Sequence, residues 1–566
     1  MKKIDSFNLK PRRQRLKALA LVLPLVFVAA MMLMVVPARA STEATVTLPT
    51  NVHTATPLVW QPCSDVPSRD CATLTVPLDY TNQTGSTISL PVSRQRATDS
   101  AHRIGTLILN TGGPGNAMAG IVRYNNLSNR LDPTVLARFD VVGLDPRGTT
   151  EGITCNTTAD LTTYWNTNRL PQTDAQRQVL LNQEIAFNQG CVNRNQPLAS
   201  HIDSASSIRD MELLRQAMAL TGDATASQLT LLGYSYGTFI MQRYAALYPQ
   251  HVRALFMDSV ENHKALDEQS ITESHIAFEH SWSVFKRWCQ ATADCALHGQ
   301  DLDQIFDQAI ARARIGTGIP APHGPITQKP VNDWVLTLAL EATTAAGQEN
   351  FAWTADILAK AVAGPAEDAS LARYLYDALT GSNFDGNYDP TGAGTHRAIA
   401  CLDRTFSQWL DTPTKVKAFE TVTKGVAPRY GIDSLYQGAI QCYKYPVAPV
   451  EAAPLNSPVP ATVPALVVSA SEDAATPLIW AQRALSEMAN GRLVIRNGDG
   501  HISYRFSACV RSYATAYLLT LQRPANGTHC ASDPVDVIPP PDLGIAPAVH
   551  SAGSISTVDQ MLQRLK

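Results

Sequence analysis

The stretch that most constrains this chain begins with the apolar run Leu229-Thr230-Leu231-Leu232. It continues through Gly233-Tyr234-Ser235-Tyr236-Gly237 into Thr238-Phe239-Ile240-Met241-Gln242-Arg243-Tyr244. An apolar run, a G-x-S-x-G pentapeptide and a helical run in that order predict a strand, a sharp turn and a helix. Such a turn lifts a serine above the edge of a sheet. Small residues are needed at 233 and 237 because the turn is strained and the strand and helix backbones approach closely there.

Further apolar runs predict the sheet this turn belongs to. Thr106 to Asn110, Phe139 to Gly143, Ala254 to Asp258, Ala465 to Ser469 and Arg492 to Ile495 read as buried strands. Helical stretches such as Ser207 to Ala219 and Thr238 to Leu247 lie between them. Strands apolar on both faces and separated by helices predict an α/β fold with a mostly parallel central sheet covered by helices. Earlier, Ala72 to Tyr80 and Thr87 to Val92 read as an antiparallel start, turning near Asn82 and Gly85.

Between Asp258 and Ala465 the chain changes character. It is aromatic and helical in periodicity, with Trp282, Trp288, Trp334, Trp353 and Trp409. The block is too long for a crossover, so residues 262–460 are expected to form an inserted helical cap, returning through the proline-rich stretch Pro446 to Pro464. The expected organisation is then a catalytic part at 41–261, the cap, a second catalytic part at 461–535, and a proline-rich tail at 536–566.

Residues 1–40 read as a signal peptide. Lys2, Lys3, Lys10, Arg12, Arg13, Arg15 and Lys17 precede the apolar run Ala18 to Val36, and Ala38-Arg39-Ala40 offers a small-x-small cleavage site. An uncleaved membrane anchor is the alternative, since the run is 19 residues long. Cleavage after Ala40 removes eight basic residues and one acidic residue, leaving 38 basic and 48 acidic side chains, net −10. That surface repels nucleic acid and anionic membrane. The expected location is therefore secreted or periplasmic, without stable membrane insertion after cleavage.

All ten cysteines follow the signal. They fall into near neighbours along the chain: Cys63 with Cys71, Cys155 with Cys191, Cys289 with Cys295, Cys401 with Cys442, and Cys509 with Cys530. Five local disulfides are expected in an oxidising compartment. No C-x-x-C spacing occurs and paired cysteines have no thiolate to offer, so no metal site is expected.

A nucleophilic serine needs a base, an orienter for that base, and donors for the oxyanion. The strand ending Val468-Ser469-Ala470 runs into Ser471-Glu472-Asp473-Ala474-Ala475-Thr476-Pro477, where Asp473 is the candidate orienter and Glu472 its rival. Thr476 is expected to cap the helix Leu478 to Met488, with Pro477 at its first position. The next strand delivers Gly498-Asp499-Gly500-His501, and His501, 28 residues after Asp473, is the candidate base. The order Ser, Asp, His suits a sheet of this kind. One oxyanion donor is expected from the Tyr236 N–H. The other is expected from Gly113 in Thr111-Gly112-Gly113-Pro114-Gly115, since Pro114 has no N–H. Asp145 and Arg147 of Leu144-Asp145-Pro146-Arg147-Gly148 are expected to pair and brace the site.

With these motifs the chain resembles the secreted bacterial tripeptidyl aminopeptidases and proline iminopeptidases of the alpha/beta-hydrolase superfamily. The resemblance spans about residues 50 to 535. It rests on Cys71 to Tyr80, Asn110 to Gly115, Asp145 to Thr149, Gly233 to Thr238, Asp473 to Pro477 and Gly500-His501, and extends to Cys509 to Cys530 with Tyr513 and Tyr517 between. It departs from the usual pattern at Thr111, where proline is common, and at Ser469-Ala470-Ser471, where glycine is frequent. The resemblance implies an exopeptidase acting on peptides with a free N-terminus, a helical cap, and no metal or cofactor. It also implies the triad Ser235, Asp473 and His501, setting Glu472 aside.

Such an enzyme needs a carboxylate for the substrate ammonium. Glu261, Asp267, Glu268, Glu273, Glu279, Glu341 and Asp403 are the acids available near the cap, and nothing in the sequence ranks them. Two alternatives remain at this stage. A secreted carboxylesterase would use the same triad, and a catalytically inactive surface protein could keep the scaffold.

Overall fold

The computed structural model describes residues 55–534 except 83–84, 126, 151, 158–159, 161–163, 165–166, 168, 262–266, 315–332, 364–392 and 449–457. The expected signal peptide at 1–40, the expected proline-rich tail at 536–566 and part of Pro446 to Pro464 therefore lie outside the described residues.

Ten strands form one sheet: β1 (Gln61–Pro62), β2 (Asp70–Pro77), β3 (Thr87–Gln95), β4 (Gly105–Asn110), β5 (Phe139–Leu144), β6 (Leu229–Tyr234), β7 (Val252–Asp258), β8 (Ala465–Glu472), β9 (Gly491–Asp499) and β10 (Thr528–Ala531). Their spatial order is β1-β2-β3-β5-β4-β6-β7-β8-β9-β10. The β1–β2, β2–β3 and β3–β5 pairings are antiparallel, and the pairings from β5 through β4 to β10 are parallel. β4, β5 and β6 are buried along their whole length. Side chains alternate between the two faces: Leu107, Leu109, Leu232, Tyr234 and Phe256 enter one core, while Ile108, Leu231, Leu255 and Met257 enter the other.

Before the insertion the helices are α1 (Met118–Tyr124), α2 (Pro133–Arg138), α3 (Asp174–Arg194), α4 (Ser204–Leu220) and α5 (Tyr236–Leu247). Between β7 and β8 run α6 (Asp267–Ala291), α7 (Leu302–Arg314), α8 (Asp333–Ala345), α9 (Phe351–Ala363), α10 (Ala393–Asp403), α11 (Phe406–Trp409), α12 (Pro413–Val426) and α13 (Gly431–Gly438). No strand interrupts them among the described residues, so the insertion is helical. Trp282 and Trp334 are its largest buried side chains, and Trp282 packs edge-on against Phe306. The chain closes with α14 (Leu478–Ser486), α15 (Ser503–Phe506) and α16 (Ala508–Thr520). This is the alpha/beta-hydrolase fold, a central sheet flanked by helices with a helical insertion. Among the described residues no helix is long and apolar enough to cross a membrane.

Two expectations need correction. The helix after Pro477 ends at Ser486, two residues short of Met488. A strand the periodicity did not signal, β10, pairs in parallel with β9 at the sheet edge. Its four residues alternate intermediate, exposed, buried and exposed, too short a run to register as a pattern. The five cysteine pairs named above are joined in the structure, Cα atoms 3.5–5.6 Å apart. Cys509–Cys530 ties α16 to β10, and Cys401–Cys442 ties α10 to the turn at Ile440–Cys442.

Candidate active site

Ser235 stands between β6 and α5 with φ 53° and ψ −132°, a strained backbone for a residue with a side chain. The turn is over-determined by its neighbours. Ser235 N–H donates to Asp258 O at 3.1 Å, and Ser235 O accepts from Thr238 N at 2.8 Å and Thr238 Oγ1 at 2.7 Å. A Cβ at Gly237 would fall 2.2 Å from Asn110 O at the end of β4, so only glycine lets the helix start this close to the neighbouring strand.

The loop after β4 lies against this turn. Gly112 (φ +96°) is so close that a Cβ there would sit 3.0 Å from both Ser235 Cβ and Tyr236 N. Its own N–H donates to Asn110 Oδ1 at 2.9 Å. Pro114 follows Gly113 through a cis peptide bond. Gly115 faces Thr395 of α10. Asn110, Gly112, Gly115, Tyr236, Ile240 and Ile399 help line a mostly apolar cavity of about 30 Å³ behind the loop.

Asp473 and His501 come together at the same sheet edge. His501 Nδ1 lies 2.9 Å from Asp473 Oδ2 and 3.1 Å from Oδ1, both side chains almost fully buried. The Asp473 carboxylate also accepts Ala475 N at 3.0 Å, Thr476 N at 2.9 Å and Thr476 Oγ1 at 2.9 Å. Burial alone would raise its pKa, but His501, the Thr476 N–H and the Ser259 hydroxyl outweigh that and hold it below the usual carboxylate range. With its Nδ1–H donating to the Asp473 carboxylate, neutral His501 presents Nε2 as its basic nitrogen. Glu472 instead turns outward, 3.3 Å from Arg287 and 3.6 Å from His280.

Thr476 does not cap the following helix. Pro477 occupies the cap position without a side-chain bond, because the Thr476 hydroxyl is drawn to Asp473, with His501 Nδ1 3.3 Å away. Asp145 and Arg147 do not pair with each other either. All five Arg147 N–H donors are taken, by both Asp210 oxygens and by the carbonyls of Pro77, Leu78 and His201. Asp145 accepts Ala119 N at 2.6 Å and Thr150 Oγ1 at 2.8 Å. Both brace the surrounding loops, through different partners.

α10 brings to the site Thr395 and Ile399, which sequence reasoning did not name, and Asp403, one of the unranked acids. Thr395, Ile399 and Asp403 recur every four residues and so share one helix face. Thr395 meets Gly115, Ile399 lines the cavity, and Asp403 Oδ2 accepts the Tyr236 hydroxyl at 2.7 Å. Asp403 also accepts Ser204 N at 2.8 Å and the Ser204 hydroxyl, while burial raises its pKa. Glu261 pairs with Arg404, and Asp267 accepts Thr405 Oγ1 at 2.6 Å. Glu273 is held by Trp480 and Arg483, Glu279 by Arg429, and Glu341 is buried. Among the described residues no group of three or more His, Cys, Asp or Glu is placed to hold a metal ion.

Residues 105–275 match the family model described as alpha/beta hydrolase fold, and residues 428–530 match one described as TAP-like protein. The chain is 29% identical over 498 residues to the serine protease Hip1 of Mycobacterium tuberculosis, covering 84% of this chain and 91% of that protein. It is 26% identical over 494 residues to a tripeptidyl aminopeptidase of Streptomyces lividans, covering 83% and 86%. It is 27% identical over 493 residues to a carboxylesterase B of M. tuberculosis, covering 83% and 87%. The chain thus has the alpha/beta-hydrolase fold and is similar over most of its length to proteins named as a serine protease, a tripeptidyl aminopeptidase and a carboxylesterase.

Proposed function

We propose that this chain is a secreted or periplasmic serine exopeptidase that hydrolyses peptide bonds near a free N-terminus and releases short peptides such as tripeptides. The reading is carried by the buried Asp473–His501 pair on the edge that also presents Ser235, whose strained turn lies against Gly112. Ser235 Oγ attacks the carbonyl carbon as His501 Nε2 takes its proton. Asp473 holds the imidazole in the Nδ1–H tautomer and stabilises the imidazolium. The N–H groups of Tyr236 and Gly113 receive the oxyanion. His501 then protonates the leaving amine, and water activated by the same imidazole releases the acyl group from Ser235.

Peptide as substrate is supported by the two peptidase-named relatives over most of the chain. It is also supported by the carboxylates near Tyr236, where Asp403 accepts its hydroxyl and Glu261, paired with Arg404, lies within electrostatic range. Residues 262–460 act as the cap in this reading. Five disulfides suit an oxidising compartment outside the cytoplasm.

A free-amine peptide and its N-acetylated twin, incubated with the purified protein and followed by mass, test the proposal. Release of N-terminal di- or tripeptides from the free amine alone supports it. Equal cleavage of both removes the exopeptidase reading. The second reading is a carboxylesterase, favoured by the esterase-named relative. It predicts turnover of a short acyl ester with both peptides left intact.

A further inference from the structure

Asp258 and Ser259, at the end of β7, touch every part of the constellation. Asp258 O accepts the Ser235 N–H at 3.1 Å. Its carboxylate, fully buried, accepts Ser503 N at 3.0 Å and Tyr504 N at 2.6 Å, the amides that follow His501 and Ile502. Ser259 Oγ accepts Ile502 N at 2.7 Å and donates to Asp258 Oδ1 at 3.5 Å, and its hydroxyl helps hold the Asp473 pKa down. Ser259 N in turn donates to Val468 O of β8, so the dipeptide is itself held by the strand that leads to Asp473.

Two of these residues carry strained backbone. Ser259 has φ 58° and Ile502 has φ 72°, the latter rare for a β-branched residue. Such conformations persist where surrounding bonds over-determine them, and they cluster at functional sites. Here one hydrogen bond joins the two strained residues directly, and it lies next to His501 in the chain.

We propose that Asp258 and Ser259 are positioning residues, a single two-residue clamp that sets the nucleophile turn, the Asp473 carboxylate and the His501 loop in register. The proposal rests on the triad of the preceding subsection. The groups around the Asp258 carboxyl are Tyr234 of β6, Asp473 after β8, Arg496 of β9 and Tyr504 of α15. Burial, aided by Asp473 and opposed by the Ser503 and Tyr504 amides and Arg496, pushes its pKa up to about 6.

Ser259→Gly tests the clamp, because glycine favours φ near +58° and the fold keeps its backbone while losing only the hydroxyl. The readout is the rate of covalent labelling by a fluorophosphonate across pH, alongside the thermal midpoint. The expected result is a labelling rate lower by roughly 10–100-fold at an unchanged or higher midpoint. The acid limb of the profile should also move to higher pH, because Asp473 without the Ser259 donor attracts the His501 proton more strongly. Wild-type rate and wild-type pH profile in the variant would overturn the clamp while leaving the triad standing. A wild-type protein that is not labelled overturns the triad, and the clamp with it.

Discussion

The Tyr236 hydroxyl donates to the Asp403 carboxylate at 2.7 Å across 167 residues of chain, tying the residue after Ser235 to the helical insertion. Tyr236 is buried, and burial together with the Asp403 charge raises its pKa well above the ordinary phenol value. Asp403→Ala leaves the buried Tyr236 hydroxyl only the Ser204 hydroxyl as a partner and should cost about 1–3 kcal/mol in urea unfolding. Asp403→Asn, which keeps a hydrogen-bonding side chain of the same shape, should cost less.

Asp403 and Asp473 should also respond to pH in opposite directions. The Asp403 pKa is raised in the folded protein, so its contribution is fully present below the unfolded value of 3.8 and lost as pH rises through the folded value. The Asp473 pKa is lowered, so its contribution is present above 3.8 and lost as pH falls through the folded value. Unfolding free energies measured from pH 2 to 8 should show Asp473→Asn losing most stability at neutral pH and converging on wild type in acid. An Asp473→Asn deficit independent of pH would contradict this.

The same substitution bears on chemistry. Asn at 473 offers an amide where His501 Nδ1–H needs an acceptor, favouring the wrong tautomer, and kcat should fall by about 10⁴ with KM little changed. Glu472→Gln, which alters only contacts with Arg287 and His280, should leave kcat near wild type. Steady-state kinetics on the best substrate found separates the two acids.

Strain at the turn predicts a trade between stability and activity. Ser235→Gly relieves φ 53° and should stabilise the fold by roughly 1–3 kcal/mol while abolishing fluorophosphonate labelling. Gly237→Ala forces a methyl toward Asn110 O, 2.2 Å from the ideal Cβ position, and should destabilise by at least ~1–3 kcal/mol. Calorimetry of the two variants would place them on opposite sides of wild type.

Arg147 supplies a structural prediction away from the chemistry. Its guanidinium is fully buried and uses every donor, two of them on Asp210. Arg147→Ala leaves Asp210 buried without that partner and should cost about 3–5 kcal/mol. Arg147→Lys should recover little, since an ammonium has three donors and no fork.

The strand, turn and helix around Ser235 were readable because every requirement there is local. An apolar run, two glycines and a helical run specify the geometry within sixteen residues, Leu229 to Tyr244. The six apolar runs proposed as strands are strands, because buried strands must be apolar whatever covers them. Thr476 was misread for a physical reason. A hydroxyl before Pro477 has cap chemistry in sequence, and only the fold shows that a buried carboxylate competes for it. Arg147 was misread similarly, since Asp145 is its neighbour in the chain while Asp210 is its neighbour in space.

Sequence by itself determined the kind of sheet, the serine turn, the order of Ser235, Asp473 and His501, and which cysteines stand near each other along the chain. Each follows from short-range rules of period, turn chemistry and loop length. The tertiary structure alone decided that Asp403 reaches Tyr236, that Thr476 bonds Asp473 instead of capping a helix, and that Asp258 and Ser259 bond both the Ser235 turn and the His501 loop. These contacts bridge elements up to 243 residues apart in the chain. A carboxylate or a hydroxyl does not announce its distant partner, because burial and hydrogen-bond competition are settled only when the elements pack.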